Sequence, residues 1–296
     1  PNAHLKTECW FVMDAQGGTA LRAGLSTPVT PPHSAPSDLT TTHGREPGAS
    51  PPSATAASST NSEPTPGSRR GLGSDPVIYK GIKPGITPAD FRKLIAEGRV
   101  PEAMLAVPAI VGEMHDLPSG TCHALGAGVL VAEVQTPSDT TFRVYDWAKE
   151  YGRQGRALHI EESLACIDFA PAPVATSLHA PRGQLASGPL TRTPYFTVDQ
   201  INLPAGWNFQ LQDPNCHVLI VVAGAARLEP QGPSTWTFAP GDITLGDTVI
   251  IPAAISHTLN IHATQDLSIL LVGLLAGLAR GPGAGSPRGP ISRKQQ

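Results

Sequence analysis

His123 is the first candidate for chemistry in this sequence. It closes the run Gly112-Glu113-Met114-His115-Asp116-Leu117-Pro118-Ser119-Gly120-Thr121-Cys122-His123. That run reads as a strand entry, a strand, a Pro-Gly turn and a second strand whose first residues aim a His inward. Imidazole is the commonest protein metal ligand, but one His does not hold a metal, so partners must be sought. Glu133 and Gln135 alternate with apolar residues and share one strand face, either a solvated surface or a polar lumen. Asp139, Thr141 and Arg143 are spaced to share another. Arg143 is either a surface charge or a fixed guanidinium on a lumen strand, which suits a phosphosugar or the charge developing on an enediolate. Glu8, in Lys6-Thr7-Glu8-Cys9-Trp10, reads on the residues alone as an exposed strand start.

These residues need elements to hold them. Glu8–Ala15 has the pattern of a buried strand running into a turn at Gly17-Gly18. Residues 26–76 are rich in Ser, Thr, Pro, Ala and Gly, with too little apolar surface to offset ordering entropy, and read as a disordered insertion. A helix is marked by Thr87 as N-cap, Pro88 at its first position, Phe91, Leu94 and Ile95 on one face, and Gly98 as stop. Residues 107–145 read as strands, with a short helix at 161–167 and a Pro/Ala/Gly-rich connector at 171–191. Short strands at 8–12-residue spacing fill 195–272, as in a sandwich or barrel. Residues 276–296 read as a disordered tail.

Composition narrows the function classes. The 296 residues carry a net charge of −3, so no basic field invites nucleic acid or an acidic membrane. The longest apolar run, 267–279, falls short of the ~20 residues of a membrane span. Cys9, Cys122, Cys166 and Cys216 lie far apart with no Cys-x-x-Cys pair, which fits a reducing cytoplasm. A small-molecule partner is expected, with a monomer favoured.

The His123 run has an echo. Gly246-Asp247-Thr248-Val249-Ile250-Ile251-Pro252-Ala253-Ala254-Ile255-Ser256-His257 repeats its form, with Ala for the second Gly. Both copies resemble the second motif of cupins. The expected fold class is therefore mainly β: two cupin-type barrels, a bicupin, with a small helical segment at 77–106 inserted in the first. The first, catalytic barrel takes residues 1–170 and the second, structural barrel takes 192–275. His217 stands alone upstream of His257, without a His-x-His or a suitably spaced Glu, so no second metal is expected. The missing His-x-His also argues against an iron cupin oxygenase.

Lys6-Thr7-Glu8-Cys9-Trp10, Pro118 to Ala124, Glu133-Val134-Gln135, Ser138 to Asp146 and Arg156-Ala157-Leu158-His159 occur in that order. Together they resemble the short bacterial form of type I mannose-6-phosphate isomerase. The resemblance is strong over 1–25 and 77–170 and looser over 192–273. It implies a zinc-dependent interconversion of mannose 6-phosphate and fructose 6-phosphate, with one zinc in the catalytic barrel. Glu8 and His123 match metal ligands, Lys6 a lysine beside the sugar, and Arg143 the active-site arginine. The family's Gln-x-His ligand segment would precede Pro1, so an N-terminally truncated chain is expected. A non-catalytic sugar-binding bicupin is the alternative.

Overall fold

The computed structural model describes residues 6–16, 75–211, 213–230, 241–274 and 291–293. The Gly17-Gly18 turn and the 26–74 stretch of the expected insertion lie outside them. In chain order the elements are β1 (Glu8–Ala15), β2 (Val77–Ile82), α1 (Pro88–Ala96), α2 (Val100–Ala103), β3 (Met104–Pro108), β4 (Glu113–Leu117), β5 (His123–Leu125) and β6 (Val129–Gln135). A 3-10 turn, Trp147–Tyr151, and α3 (Ile160–Cys166) follow. The remainder is β7 (Thr176–Ser177), β8 (Ala186–Arg192), β9 (Phe196–Leu203), β10 (Trp207–Gln210), β11 (His217–Ala223), β12 (Ala225–Pro230), β13 (Gly241–Thr244), β14 (Thr248–Ile251), α4 (Ala253–Ser256), β15 (Leu259–Ala263), β16 (Leu267–Leu274) and β17 (Ile291–Arg293). The chain is mainly β, and its sheet pairings are antiparallel.

β1 lies inside a four-stranded sheet, β6-β1-β4-β7. Both its faces are buried, which is why it reads as an unbroken apolar run rather than an alternation. Cys9 and Phe11 pack with Met114 and Ala132 against Val198, Leu270 and Val272 of the later strands. Trp10 and Val12 face the other way, toward Ile78 and Leu117.

β2 and β3 pair with each other and bracket α1 and α2, so the segment expected to be helical over 77–106 is strand–helix–helix–strand. α1 starts where its cap dictates. The Thr87 side chain accepts from the Asp90 N–H while the Asp90 carboxylate accepts from the Thr87 N–H, a capping box. Phe91 and Ile95 are its buried face.

The later strands form two five-stranded sheets, β14-β11-β16-β9-β8 and β13-β12-β15-β10-β17. Leu219, Ile269 and Leu271 of the first pack against Phe209, Leu228 and Ile261 of the second. This interior is filled with aliphatic and aromatic side chains.

Four expectations need correction. Residues 136–146 form no strand: after β6 the segment carrying Asp139, Thr141 and Arg143 is irregular. The connector at 171–191 contains β7 and most of β8, a sheet edge that tolerates Pro189 at a register shift. Residues 291–293 of the tail form β17 beside β10. His257 does not point inward. It is exposed at the C-cap of α4, because the second motif has Ala254 where the first has Gly120. Gly120 adopts φ +94°, a turn that releases the chain into a strand, whereas Ala254 continues a helical turn.

Candidate active site

The Pro118–Gly120 turn aims His123. Thr121 N–H donates to the Pro118 carbonyl at 2.9 Å, and Asp168 N–H donates to the Gly120 carbonyl at 2.9 Å, tying the turn to the end of α3. A Cβ at Gly120 would stand 2.8 Å from the Cys166 carbonyl oxygen, so glycine is required there by space as well as by φ. His123 then opens β5 opposite Lys80 of β2. Its Nδ1 lies 2.7 Å from the Thr121 carbonyl oxygen. A carbonyl only accepts, so Nδ1–H donates to it, which fixes the ring and leaves Nε2 facing the cleft.

Nε2 meets Glu8. His123 Nε2 and Glu8 Oε1 are in direct contact, although the two residues sit on different sheets. Lys6 Nζ lies 2.8 Å from Glu8 Oε2 and 3.8 Å from Glu133 Oε1. The strand register explains the grouping: Glu8 is opposite Gln135 and Trp10 opposite Glu133, so these side chains share one face of the β1–β6 pair, with Glu8 and Trp10 buried and Glu133 and Gln135 exposed. Burial alone would raise the Glu8 carboxyl, but hydrogen bonds with His123, Glu133 and Lys6 outweigh it and hold the group at about 2. Glu133 moves the opposite way, raised by burial and by the adjacent Glu8 carboxylate.

Arg143 enters from the irregular segment. Its guanidinium Nη1 donates to the Ala157 carbonyl at 3.3 Å. Its backbone is clasped by His159, whose Nδ1 accepts from the Arg143 N–H at 3.3 Å and whose N–H donates to the Arg143 carbonyl at 2.8 Å. Lys6, Glu8, His123 and Arg143 all line one cleft of about 460 Å³. The volume falls within the ~300–1,000 Å³ usual for small-molecule sites.

The residues fit a metal in part. A carboxylate oxygen and an imidazole nitrogen meet, with a carbonyl behind the imidazole as metal-ligating histidines usually have. Among the described residues, no group of three or more His, Cys, Asp and Glu side chains gathers to complete a ligand set.

The cleft also has walls that the motifs did not mark, formed by Tyr79, Met104 and Trp147. Their signal in the sequence is weak, because aromatic residues next to a turn read equally well as core. His115 is 2% exposed and Lys80 is 3% exposed, and neither has a hydrogen-bond partner. His217, 1% exposed, lies 3.7 Å from Asp213 in the later sheets, while His4, His33 and His43 lie outside the described residues.

No family model matches the chain. The chain is 34% identical over 142 residues to the mannose-6-phosphate isomerase of Streptococcus mutans, covering 47% of this chain and 44% of that protein. It is 30% identical over 158 residues to the mannose-6-phosphate isomerase ManA of Bacillus subtilis, covering 53% of this chain and 50% of that protein. It thus spans about half the length of the curated relatives it matches. The crystal structure of the mannose 6-phosphate isomerase from Bacillus subtilis superposes with a TM-score of 0.58 at 17% identity, covering 90% of this chain and 64% of that one. The structural likeness shows a shared fold, and the sequence likeness is consistent with the ordered motifs. The chain is therefore similar in sequence to mannose-6-phosphate isomerases over about half of their length, and shares the fold of one of them.

Proposed function

We propose that this chain carries the catalytic half-site and the second barrel of a zinc-dependent isomerase that interconverts mannose 6-phosphate and fructose 6-phosphate. The observation that carries the reading is the meeting of Glu8 and His123 in the same cleft as Lys6 and Arg143. In this reading residues 1–170 belong to a catalytic cupin barrel with the helical segment inserted, and 192–275 to a structural one. The four cysteines Cys9, Cys122, Cys166 and Cys216 are free thiols, which suits a cytoplasmic protein. No helix among the described residues is long and apolar enough to cross a membrane.

Isomerisation removes the proton on C2 of the aldose and returns one at C1 through a cis-enediol. Zinc held by Glu8 Oε1 and His123 Nε2, with further ligands, would supply Lewis-acid polarisation of the sugar oxygens. Arg143 presents a fixed cation to the oxygen that gains charge as the enediolate forms. Lys6, between Glu8 and Glu133, can hydrogen-bond the adjacent sugar oxygen. Buried Thr136 and half-buried Thr7 hold Lys6 in place: Thr136 N–H donates to the Thr7 carbonyl, and Thr7 N–H donates to Thr136 Oγ1.

Arg143→Ala tests the assignment. Turnover should fall about 10²–10³-fold with little change in KM, because the charge it stabilises exists only in the transition state. A rise in KM alone would make Arg143 a phosphate anchor. A non-catalytic sugar-binding protein is favoured by one observation, the lack of a third ligand among the described residues. Zinc that binds this chain weakly, with one imidazole in its X-ray absorption spectrum, fits the isomerase half-site. Imidazole-free zinc fits the alternative.

A further inference from the structure

Three cations line the cleft, Lys6, Arg143 and Arg156. Lys6 is taken up by two carboxylates, and Arg143 is the group assigned to the reacting end. Arg156 remains without a role. It is 65% exposed, yet it is held in one orientation by the buried carboxylate of Asp146. Asp146 Oδ2 accepts from the Arg156 N–H at 2.6 Å and from Nε at 3.1 Å, and Oδ1 accepts from Nη2 at 3.2 Å. This uses one Nη2 hydrogen and leaves Nη1 with no bond among the described residues. A guanidinium with one edge fixed and the other open is preorganised for a second oxyanion.

The same carboxylate positions an aromatic ring. Asp146 Oδ1 accepts from the Ala148 N–H at 3.1 Å and so caps the 3-10 turn that begins at Trp147. The Trp147 indole touches Tyr145 edge-on at 5.0 Å between centroids and Tyr79 at 5.8 Å, tilted by 36°. Both tyrosines pack against a hydrophobic cluster of the helical segment, whereas Trp147 belongs to none of the clusters and lines the cleft. A half-buried indole outside the core has a face to offer a ligand.

Resting on the isomerase reading above, we propose that Asp146, Trp147 and Arg156 form the phosphate-recognising end of the cleft. Trp147 stacks on the C–H face of the hexose, and the open edge of Arg156 takes the phosphate. A phosphomonoester carries about −1.5 to −2 charge at pH 7, and the unused Nη1 hydrogens, on the edge turned away from Asp146, are free to donate to it. The selectivity for a phosphorylated over a free hexose then lives in Arg156, and the general affinity for a sugar ring lives in Trp147.

The test is binding, read by calorimetry and tryptophan fluorescence with zinc present, using mannose 6-phosphate, mannose and inorganic phosphate. The unsubstituted chain should prefer mannose 6-phosphate to mannose, with a fluorescence change, and inorganic phosphate should compete. Arg156→Met should weaken mannose 6-phosphate at least tenfold, leave mannose unchanged and abolish competition by phosphate. Trp147→Ala should weaken both sugars alike and remove the fluorescence change. Arg156→Lys, which keeps the charge, should recover part of the preference and guards against a folding defect, checked by circular dichroism. An undiminished phosphate preference in folded Arg156→Met overturns this inference and leaves the isomerase reading standing. Failure of the unsubstituted chain to bind mannose 6-phosphate at all overturns both.

Discussion

Arg143 and His159 hold each other by two reciprocal bonds: Arg143 N–H donates to His159 Nδ1 at 3.3 Å, and His159 N–H donates to the Arg143 carbonyl at 2.8 Å. This clasp stands in for the strand that the segment lacks, and it explains the separate Arg-x-x-His motif downstream. His159 is thus a positioning residue, acting through the backbone that aims Arg143.

His159→Ala should therefore lower turnover roughly tenfold with KM little changed, less than the ~10²–10³ expected for loss of the guanidinium itself. His159→Asn, whose amide oxygen can replace Nδ1 as acceptor, should recover most of the loss. Equal turnover in His159→Ala and the unsubstituted protein would show that the clasp does not control Arg143.

Lys80 is 3% exposed with its Nζ unpartnered, on the strand that also carries buried Ile78. Desolvation lowers its pKa, opposed by the nearby Asp116 and Glu113 carboxylates. The charged lysine is favoured in the unfolded chain, so it costs stability at neutral pH, and that cost fades as pH rises toward the unfolded value of ~10.4. Lys80→Met should stabilise the protein by about 1–3 kcal/mol at pH 7, measured by urea unfolding. It should also flatten the alkaline rise in stability. A destabilised Lys80→Met would mean that the ammonium has a favourable role in the fold.

His115 lies beside Trp10 in the β1–β4 register, 2% exposed, with neither ring nitrogen hydrogen-bonded and Nε2 3.7 Å from Glu113 Oε2. Burial, with a smaller effect of Lys80, lowers its pKa to about 4. The unfolded imidazole takes up its proton first, so stability should fall as pH drops from ~6.5 through about 4. The loss is on the order of 3 kcal/mol. His115→Phe should remove this part of the acid sensitivity in pH-dependent unfolding. An unchanged acid profile would place the sensitivity elsewhere.

Much of this was legible where the deciding interactions are local. The cap at Thr87, the apolar run of β1 and the Pro118–Gly120 turn rest on residues a few positions apart, and each was found where the sequence places it. Arg143 was misplaced because Ser138 to Tyr145 alternates like a strand while its backbone groups find other partners. Ser138 N–H donates to the Thr136 carbonyl, Thr140 N–H to Ser138 Oγ, and Arg143 N–H to His159. Hydroxyls and an imidazole thus compete with a ladder, and no alternation reveals it. Glu8 read as an ordinary strand start because its partner His123 is distant in sequence and belongs to another sheet. β17 escaped notice because a three-residue edge strand depends on β10 to exist.

The most direct test of the central claim is an isomerase assay on the protein purified from its native source, with mannose 6-phosphate deuterated at C2. The expected result is fructose 6-phosphate as product, a slower reaction with the deuterated sugar, loss of activity on chelation and its return with zinc. Turnover of mannose 6-phosphate that is indifferent to chelation would contradict the role given to Glu8 and His123. Absence of fructose 6-phosphate in zinc-supplemented protein would contradict the account as a whole.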